Sequence, residues 1–201
     1  MSILPFLLSS IALTISPGPD ILYVLTQSIS NGKKYGIATA LGLVSGILVH
    51  TTLIALGVSA LIKQSELVFT VIKILGACYL LWIAYQVYKA PASISLTKVG
   101  TQKSARALVK QGFIMNVLNP KVTLFFLAFF PGFIDESLGN VTQQIYLLGF
   151  LFMLQALLIF TFVSIVAAKL TVFIRTNKTF AVFIKWFQIV AFVGIAVLIL
   201  V

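Results

Sequence analysis

The chain has 201 residues, of which 60% are hydrophobic and only 9% are charged, and its formal net charge is +10. About a quarter of the residues of a soluble domain are charged, so this composition excludes an ordinary soluble protein and indicates a membrane protein. The single cysteine, Cys78, excludes both an internal disulfide and a Cys-x-x-Cys redox pair.

Six apolar segments predict six membrane-spanning helices. Each segment is long enough to cross about 30 Å of hydrocarbon as a helix, and the short alternating segments typical of a membrane barrel do not occur in the sequence. We therefore expect an all-α integral membrane protein with a single transmembrane domain over residues 1–201. The segments are Ile3 to Ile29, Gly36 to Ile62, Leu67 to Tyr88, Gly112 to Ile134, Val141 to Ala168 and Thr179 to Val201.

The first segment is interrupted by a run of helix-breaking residues that ends in an acid. An interior proline costs a helix about 3 kcal/mol and a glycine about 1, and a carboxylate at the bilayer centre costs about 2.5–3.5 kcal/mol more. We predict that a new helix starts here, with Ser16 or Gly18 as its cap. Stability alone does not explain such a break, so it predicts a substrate site. The run is Ser16-Pro17-Gly18-Pro19-Asp20.

A second break, Asn119-Pro120-Lys121, interrupts the fourth segment. Asn119 is predicted to cap the new helix and Pro120 to occupy its first position. Asn116 lies about one turn earlier, so its side chain is expected on the same face. The charges of the two breaks complement a zwitterionic amino acid, whose ammonium would face Asp20 and whose carboxylate would face Lys121. The alternative is that Asp20 and Lys121 pair only with each other.

The matched interruptions of segments one and four predict two repeats of three helices each. Pro19 and Pro120 stand 101 positions apart, and the longest polar connection lies between the two halves. An odd number of helices makes the second repeat enter the membrane from the opposite face, which gives inverted repeats of the kind used for alternating access. The repeats cover residues of about 1–90 and about 112–201, and a basic connection of about 91–111 joins them.

The positive charges cluster in three of the connections between segments. By the positive-inside rule, this distribution predicts that the three connections are cytoplasmic and that both termini lie outside. Membrane topology therefore explains the net charge better than nucleic-acid binding does, and anionic lipid is the expected partner of these loops. The basic residues of these three connections are Lys33, Lys34, Lys89, Lys98, Lys103, Arg106, Lys110, Lys169, Arg175 and Lys178.

Segment two contains a stripe of small residues and the sole histidine of the chain. Gly36, Gly42 and Gly46 recur at helical spacing and predict close helix packing, and Gly42 and Gly46 are also candidates for lining the substrate site. His50 is predicted either to relay a proton or to bond a neighbouring helix. Asp20 is the other candidate for carrying a coupling proton.

Other polar and aromatic groups have more ordinary roles. Trp82, Tyr85 and Tyr88 are expected to anchor segment three at the membrane interface. Gln155 and Gln188 are placed to bond either the substrate or a neighbouring helix.

The main alternative to a transporter is a membrane-embedded enzyme. The sequence contains neither a His-Glu-x-x-His zinc motif nor a Gly-x-Ser-x-Gly turn. No catalytic residue, cofactor or metal site is therefore predicted. A channel stays open as an alternative, because discontinuous helices also line pores.

Taken together, these motifs make the chain resemble the LysE/RhtB family of bacterial amino-acid exporters. The resemblance spans most of the chain and implies efflux of an amino acid such as homoserine, threonine, lysine, arginine or leucine. It also implies the cytoplasmic membrane and antiport with protons. Related branches carry other cargo, so export of a metal ion or another small metabolite is the alternative, and homo-oligomerisation is left open. The resemblance is carried by residues 16–20, Gly36, 40–42, Gly46, His50, 73–80, 112–113, Asn116, 119–121 and 125–126.

Overall fold

The computed structural model describes residues 3–16, 18–64, 66–90 and 103–200, and the regular structure in these ranges is helical. The fourth span combines three helix types, because a π-helical turn, Phe125–Phe129, and a 3-10 turn, Phe130–Phe133, follow the short helix α6. The α-helices are α1 Ile3–Ile15, α2 Pro19–Asn31, α3 Lys33–Gln64, α4 Glu66–Lys89, α5 Ala105–Val117, α6 Pro120–Leu124, α7 Val141–Thr176 and α8 Lys178–Leu200.

The helices provide up to six membrane spans. Four of them, α3, α4, α7 and α8, are long and apolar enough to cross a bilayer alone. The helices on either side of the first break are bent by 55°, and those at the second break by 48°. Each bent pair makes one span if it is counted as a single broken helix. The prediction of an all-α, multi-pass membrane protein is thus confirmed, and both predicted interruptions are present.

Helix α5 begins earlier than hydropathy predicts, at Ala105 rather than Gly112. Ser104 caps its first turn, since its hydroxyl oxygen accepts a hydrogen bond from the Ala107 amide at 3.2 Å. Arg106 and Lys110 lie one turn apart and are both exposed, so the helix is amphipathic at this end. Hydropathy misses such a turn because charged residues outside the hydrocarbon layer still form helix.

Helix α3 packs against α2, α5 and α7, whereas α4 packs mainly against α8. Glycines make the contact between α3 and α5 unusually close. A Cβ atom added at Gly42 would lie 2.1 Å from the carbonyl oxygen of Val109, and one added at Gly112 would lie 2.5 Å from that of Thr39. The predicted packing role of the small-residue stripe is therefore confirmed.

A cluster of phenylalanines, here called the Phe cluster, fills the bundle between the second break and the end of the 3-10 turn. Its rings pack at the separations usual for aromatic pairs, such as 4.9 Å between Phe126 and Phe130 and 5.3 Å between Phe6 and Phe130. Nearly all of its members are fully buried. The cluster comprises Phe6, Phe125, Phe126, Phe129, Phe130, Phe133 and Phe152.

Candidate functional site

The first break ends at helix α2, which starts as the sequence predicts. Gly18 is the N-cap in an extended conformation, and Pro19 occupies the first helical position, where its missing amide hydrogen is not needed. Asp20 lies in the first turn, close to the positive end of the helix dipole. Pro17 lies outside the described residues.

The second break is capped by a side chain. The Asn119 side-chain oxygen accepts a hydrogen bond from the Lys121 amide at 3.0 Å, and Pro120 again occupies the first position. Helix α6 has only 5 residues before the π-helical turn begins. The predicted start of a helix at each break is therefore confirmed, although the second start leads into irregular helix.

The two breaks contact each other through hydrogen bonds that cross between them. The Asn119 side-chain amide donates to Asp20 Oδ2 at 2.7 Å. The Lys121 ammonium donates to the backbone carbonyl of Ser16 at 3.0 Å. Among the described residues, no ion pair within 4.0 Å joins Asp20 to Lys121. Each charge is thus held by a neutral group of the opposite break, and the direct pair considered above is not formed.

A small cavity, here called the central cavity, lies where the breaks meet α3 and α7. Its volume is about 20 Å³, which is room for about one water molecule. Two of its lining residues carry buried oxygens, Asp20 Oδ1 and Asn116 Oδ1, that accept no hydrogen bond from the described residues. A buried acceptor without a donor costs about 1–3 kcal/mol, so both atoms would gain from a ligand that donates. The lining also includes Thr14, Ser16, Gly18, Ile47, Lys121, Phe152 and Phe160.

A larger space, here called the groove, lies on the other side of the breaks against α4 and α8. Its volume is about 510 Å³. Gly18 and Lys121 line both the groove and the central cavity, so they form the wall between the two spaces. The Lys121 ammonium also lies 5.4 Å from the ring centroid of Phe192, a cation–π contact on the groove side. The lining is completed by Pro19, Tyr79, Trp82, Ile83, Gln86, Val87, Ala90, Asn119, Pro120 and Gln188.

His50 lies beside the site and not in the lining of the central cavity. Its ring is buried, packs against Phe126, and places Nε2 3.2 Å from the backbone carbonyl of Asn116. Because a carbonyl oxygen only accepts, this contact requires a hydrogen on Nε2. His50 therefore touches the site through Asn116, which agrees with the helix-bonding alternative and leaves a relay role untested.

Two of the glycines of segment two, Gly42 and Gly46, pack against α5 next to the site. A Cβ atom added at Gly46 would lie 2.6 Å from Asn116 Oδ1, so Gly46 makes room for that side chain. Gly42 lies against the backbone of α5. Neither glycine lines the central cavity, and their observed role is to let α3 approach α5.

The sequence did not predict that Thr14 lines the central cavity or that Trp82 lines the groove. Thr14 lines the central cavity, and its hydroxyl oxygen accepts a hydrogen bond from the Gln155 side chain at 3.0 Å. Its position one turn after Ser10 in an apolar segment is a signal that could have revealed it. Trp82, expected to be an interface anchor, also lines the groove beside Tyr79, with 5.6 Å between their ring centroids.

Comparison with known proteins identifies the family. The model of the LysE type translocator family matches residues 11–201. An uncharacterized membrane protein of Vibrio cholerae is 31% identical over 173 residues, which cover 86% of this chain and 84% of the relative. A homoserine/homoserine lactone efflux protein of Salmonella typhimurium is 30% identical over 173 residues, with the same coverage of 86% and 84%.

A third relative extends the match. An uncharacterized membrane protein of Bacillus subtilis, YrhP, is 31% identical over 193 residues, which cover 92% of this chain and 91% of the relative. No solved structure matches the chain. With its broken membrane-spanning helices and a family match over nearly its whole length, the chain belongs to the LysE type translocator family and is a membrane transporter, not an enzyme.

Proposed function

We propose that the chain exports a small amino acid across the bacterial cytoplasmic membrane in exchange for protons. The observation that carries the proposal is the meeting of Asp20 and Lys121, opposite charges from the two breaks, around one buried cavity. The two charges do not neutralise each other through a direct contact. Each is therefore available to an opposite charge on the cargo.

The amino group of the cargo is assigned to Asp20 and Asn116. An ammonium group offers three N–H donors and no acceptor. Asp20 Oδ1 and Asn116 Oδ1 are buried acceptors without a donor, which is the complement that an ammonium needs. A charge-assisted bond to Asp20 would be the stronger of the two.

The carboxylate of the cargo is assigned to Lys121. Its ammonium donates to the Ser16 carbonyl at 3.0 Å, a neutral acceptor that a carboxylate can outcompete. Binding of cargo would therefore release Lys121 from the first break. Since the cargo would hold both charges, its arrival and departure would change the contacts that join the two breaks.

Proton coupling is assigned to Asp20, which can hold a proton when the cargo has left. Asp20 lines the central cavity, whereas His50 reaches it only through the Asn116 carbonyl. In the proposed cycle the ammonium leaves outside, a proton replaces it on Asp20, and the reset carrier releases that proton to the cytoplasm. This order makes cargo and proton competitors for one carboxylate, which is sufficient for antiport.

Two inverted repeats would provide the alternating access. The packing of the helices supports such repeats. The second helices of the two halves, α3 and α7, pack against each other, and so do the third helices, α4 and α8. Equivalent helices that lie next to a two-fold axis between two repeats pack against each other. The positive-inside rule supports an orientation with the basic connections in the cytoplasm and both termini outside.

Counterflow in liposomes tests the proposal directly. Vesicles holding the purified protein are loaded with one unlabelled amino acid, and uptake of its labelled form is followed with and without a pH gradient. L-homoserine is the first cargo to test, since a relative is named as a homoserine/homoserine lactone efflux protein. We expect transient accumulation of a few amino acids and a response to the pH gradient.

Three other results of the counterflow experiment would each contradict a different part of the proposal. If folded protein accumulates no amino acid, the proposed cargo is wrong, and a metal ion or another metabolite becomes the next cargo to test. If flux follows the gradient without exchange, the protein is a channel. If exchange occurs but ignores the pH gradient, the cargo assignment stands and proton coupling fails.

A further inference from the structure

The groove against α4 and α8 has no part in the function as proposed so far. Resting on that function, we infer that the groove is the water-filled route by which cargo enters from the cytoplasm. Within it, the carboxylate of the cargo meets Lys121 before the ammonium reaches Asp20. The groove is thus a first binding site, distinct from the central cavity and separated from it by Gly18 and Lys121.

The length and direction of the groove fit an entry route. The residues of α4 that line it recur three and four apart, so they form one face of the helix. From Tyr79 to Ala90 this face extends about 16 Å at the helical rise, close to half the thickness of the hydrocarbon layer. Ala90 follows the last residue of α4. The groove therefore runs along α4 from Tyr79, near the middle of the span Thr70–Lys89, to the end that precedes the basic connection.

The sizes of the two spaces decide which of them can hold cargo in this conformation. The central cavity, at about 20 Å³, has room for about one water molecule. The groove, at about 510 Å³, lies within the range of small-molecule binding sites, about 300–1,000 Å³. An amino acid therefore fits the groove and not the central cavity, and Lys121 is the charged group it would meet at the inner end.

The chemistry of the groove favours a zwitterion over a lipid chain. Much of its wall is apolar, as an acyl chain would require, but its inner end carries the Lys121 ammonium and the edge of a helix break. A cation deep in the membrane is costly unless it is paired or hydrated. Water in the empty groove and a carboxylate in the filled one both meet that need, whereas hydrocarbon does not.

The opposite side of the site is closed. Phe152 lines the central cavity on that side, and the buried ring of Phe126 packs 5.4 Å from it and 4.9 Å from Phe130, between centroids. The groove side is where Lys121 can be approached. The conformation thus corresponds to a carrier that is open toward the end of α4.

Side-specific thiol labelling tests the inference with a matched pair of variants. In a Cys78→Ala background, Ile83→Cys places a thiol in the groove, and Leu81→Cys places one on the outer surface of the same helix. Leu81 is 43% exposed and Ile83 is half-buried, so accessible area alone predicts faster labelling at position 81. Water in the groove predicts the reverse, because a thiol reacts as its thiolate, which hydrocarbon disfavours.

We expect a membrane-impermeant thiol reagent to label Ile83→Cys at least about tenfold faster than Leu81→Cys, and only from the cytoplasmic side. L-homoserine, or whichever amino acid exchanges in counterflow, should slow the labelling of Ile83→Cys. Adding Lys121→Ala should leave the labelling itself unchanged and remove this protection. Labelling that stays confined to the cytoplasmic side in that double variant also shows that the protein has kept its fold in the membrane.

Several results would overturn the inference. They are equal labelling at positions 81 and 83, labelling of position 83 from the outside only, and no protection by an amino acid that the same vesicles transport. These results differ from failure of the proposed function, in which counterflow finds no amino-acid cargo. In that case the side-specific labelling still decides whether the groove is a water-filled entry.

Discussion

The two helix breaks share a proline followed by a charged residue, but their local structures differ. The first has a glycine cap without a side-chain bond and leads into α2, a regular helix of 13 residues. The second is capped by the Asn119 side chain and leads into 5 residues of α-helix, followed by π-helical and 3-10 turns. The first break thus presents its carboxylate from a regular helix, whereas the second presents its cation from an irregular one.

This difference predicts that the two breaks have different roles during transport. π-helical turns are rare and are often found at functional sites, where a segment must rearrange. Lys121 and five of the seven rings of the Phe cluster lie on the irregular span, while Asp20 lies in the regular helix α2. We therefore expect the second break to move during transport and the first to act as the fixed side of the site.

Replacing Asp20, the carboxylate of the first break, should reduce transport more than any other substitution considered. Asp20→Asn removes the charge that the cargo and the coupling proton share, and loss of one partner of a buried charge costs about 2–5 kcal/mol, or roughly 30- to 5,000-fold. Accumulation driven by a pH gradient should fall by about that factor. His50→Gln is the control, because loss of a neutral hydrogen bond costs only about 1 kcal/mol. Equal losses in both variants would contradict the assignment of the proton to Asp20.

The next largest effect is expected for the cation of the second break. Lys121→Ala should raise the apparent KM for an amino acid about 10- to 100-fold, since a hydrogen bond to a charged group is worth about 1.5–3 kcal/mol. Transport of the corresponding amino-acid amide, which lacks the carboxylate, should change much less. A similar increase in KM for the acid and the amide would mean that Lys121 does not bind the carboxylate. Lys121→Arg, which keeps the charge, is the matched variant.

The helices that lead into the two breaks also differ. α5 lies on α3 through glycine-to-backbone contacts, whereas α1 contacts α7 through the bond between Thr14 and Gln155. Gly42→Ala should destabilise the protein by about 1–3 kcal/mol through overpacking. Gly57→Ala, in the same helix with nothing within 4 Å of the added Cβ, should be neutral or stabilise by about 0.5–1 kcal/mol. Thermal unfolding in detergent measures both, and equal melting temperatures would contradict the close contact.

The smallest effect is expected for two substitutions of Asn119 that distinguish its two hydrogen bonds. Asn119→Ala loses both the helix cap and the bond to Asp20, whereas Asn119→Ser can keep a cap while losing that bond. The alanine variant should therefore be less stable than the serine variant by about 1 kcal/mol, the usual value of a cap. Both variants should lose the same part of transport if the Asp20 contact positions the carboxylate. A serine variant that transports normally would show that this bond has no such role.

Much of the fold and half of the site follow from local chemistry in the sequence. The spans were predictable because only helices and closed barrels satisfy their backbone inside hydrocarbon, and the long apolar segments fit helices. The starts of α2 and α6 were predictable because capping depends on residues within one turn, here Gly18-Pro19 and Asn119-Pro120. The start of α5 was not, because hydropathy does not register an amphipathic turn outside the membrane.

By itself, the sequence determined which residues could not stay in a continuous helix, and that two opposite charges would lie at those points. Only the tertiary structure decided their partners: Lys121 bonds the carbonyl of Ser16, and Asp20 bonds the amide of Asn119. It also decided that Trp82 lines a groove instead of serving only as an anchor. Helix breaks and caps are set by neighbours along the chain. The partner of a buried polar atom depends on which helices pack together, and residues about a hundred positions apart carry no local signal of that choice.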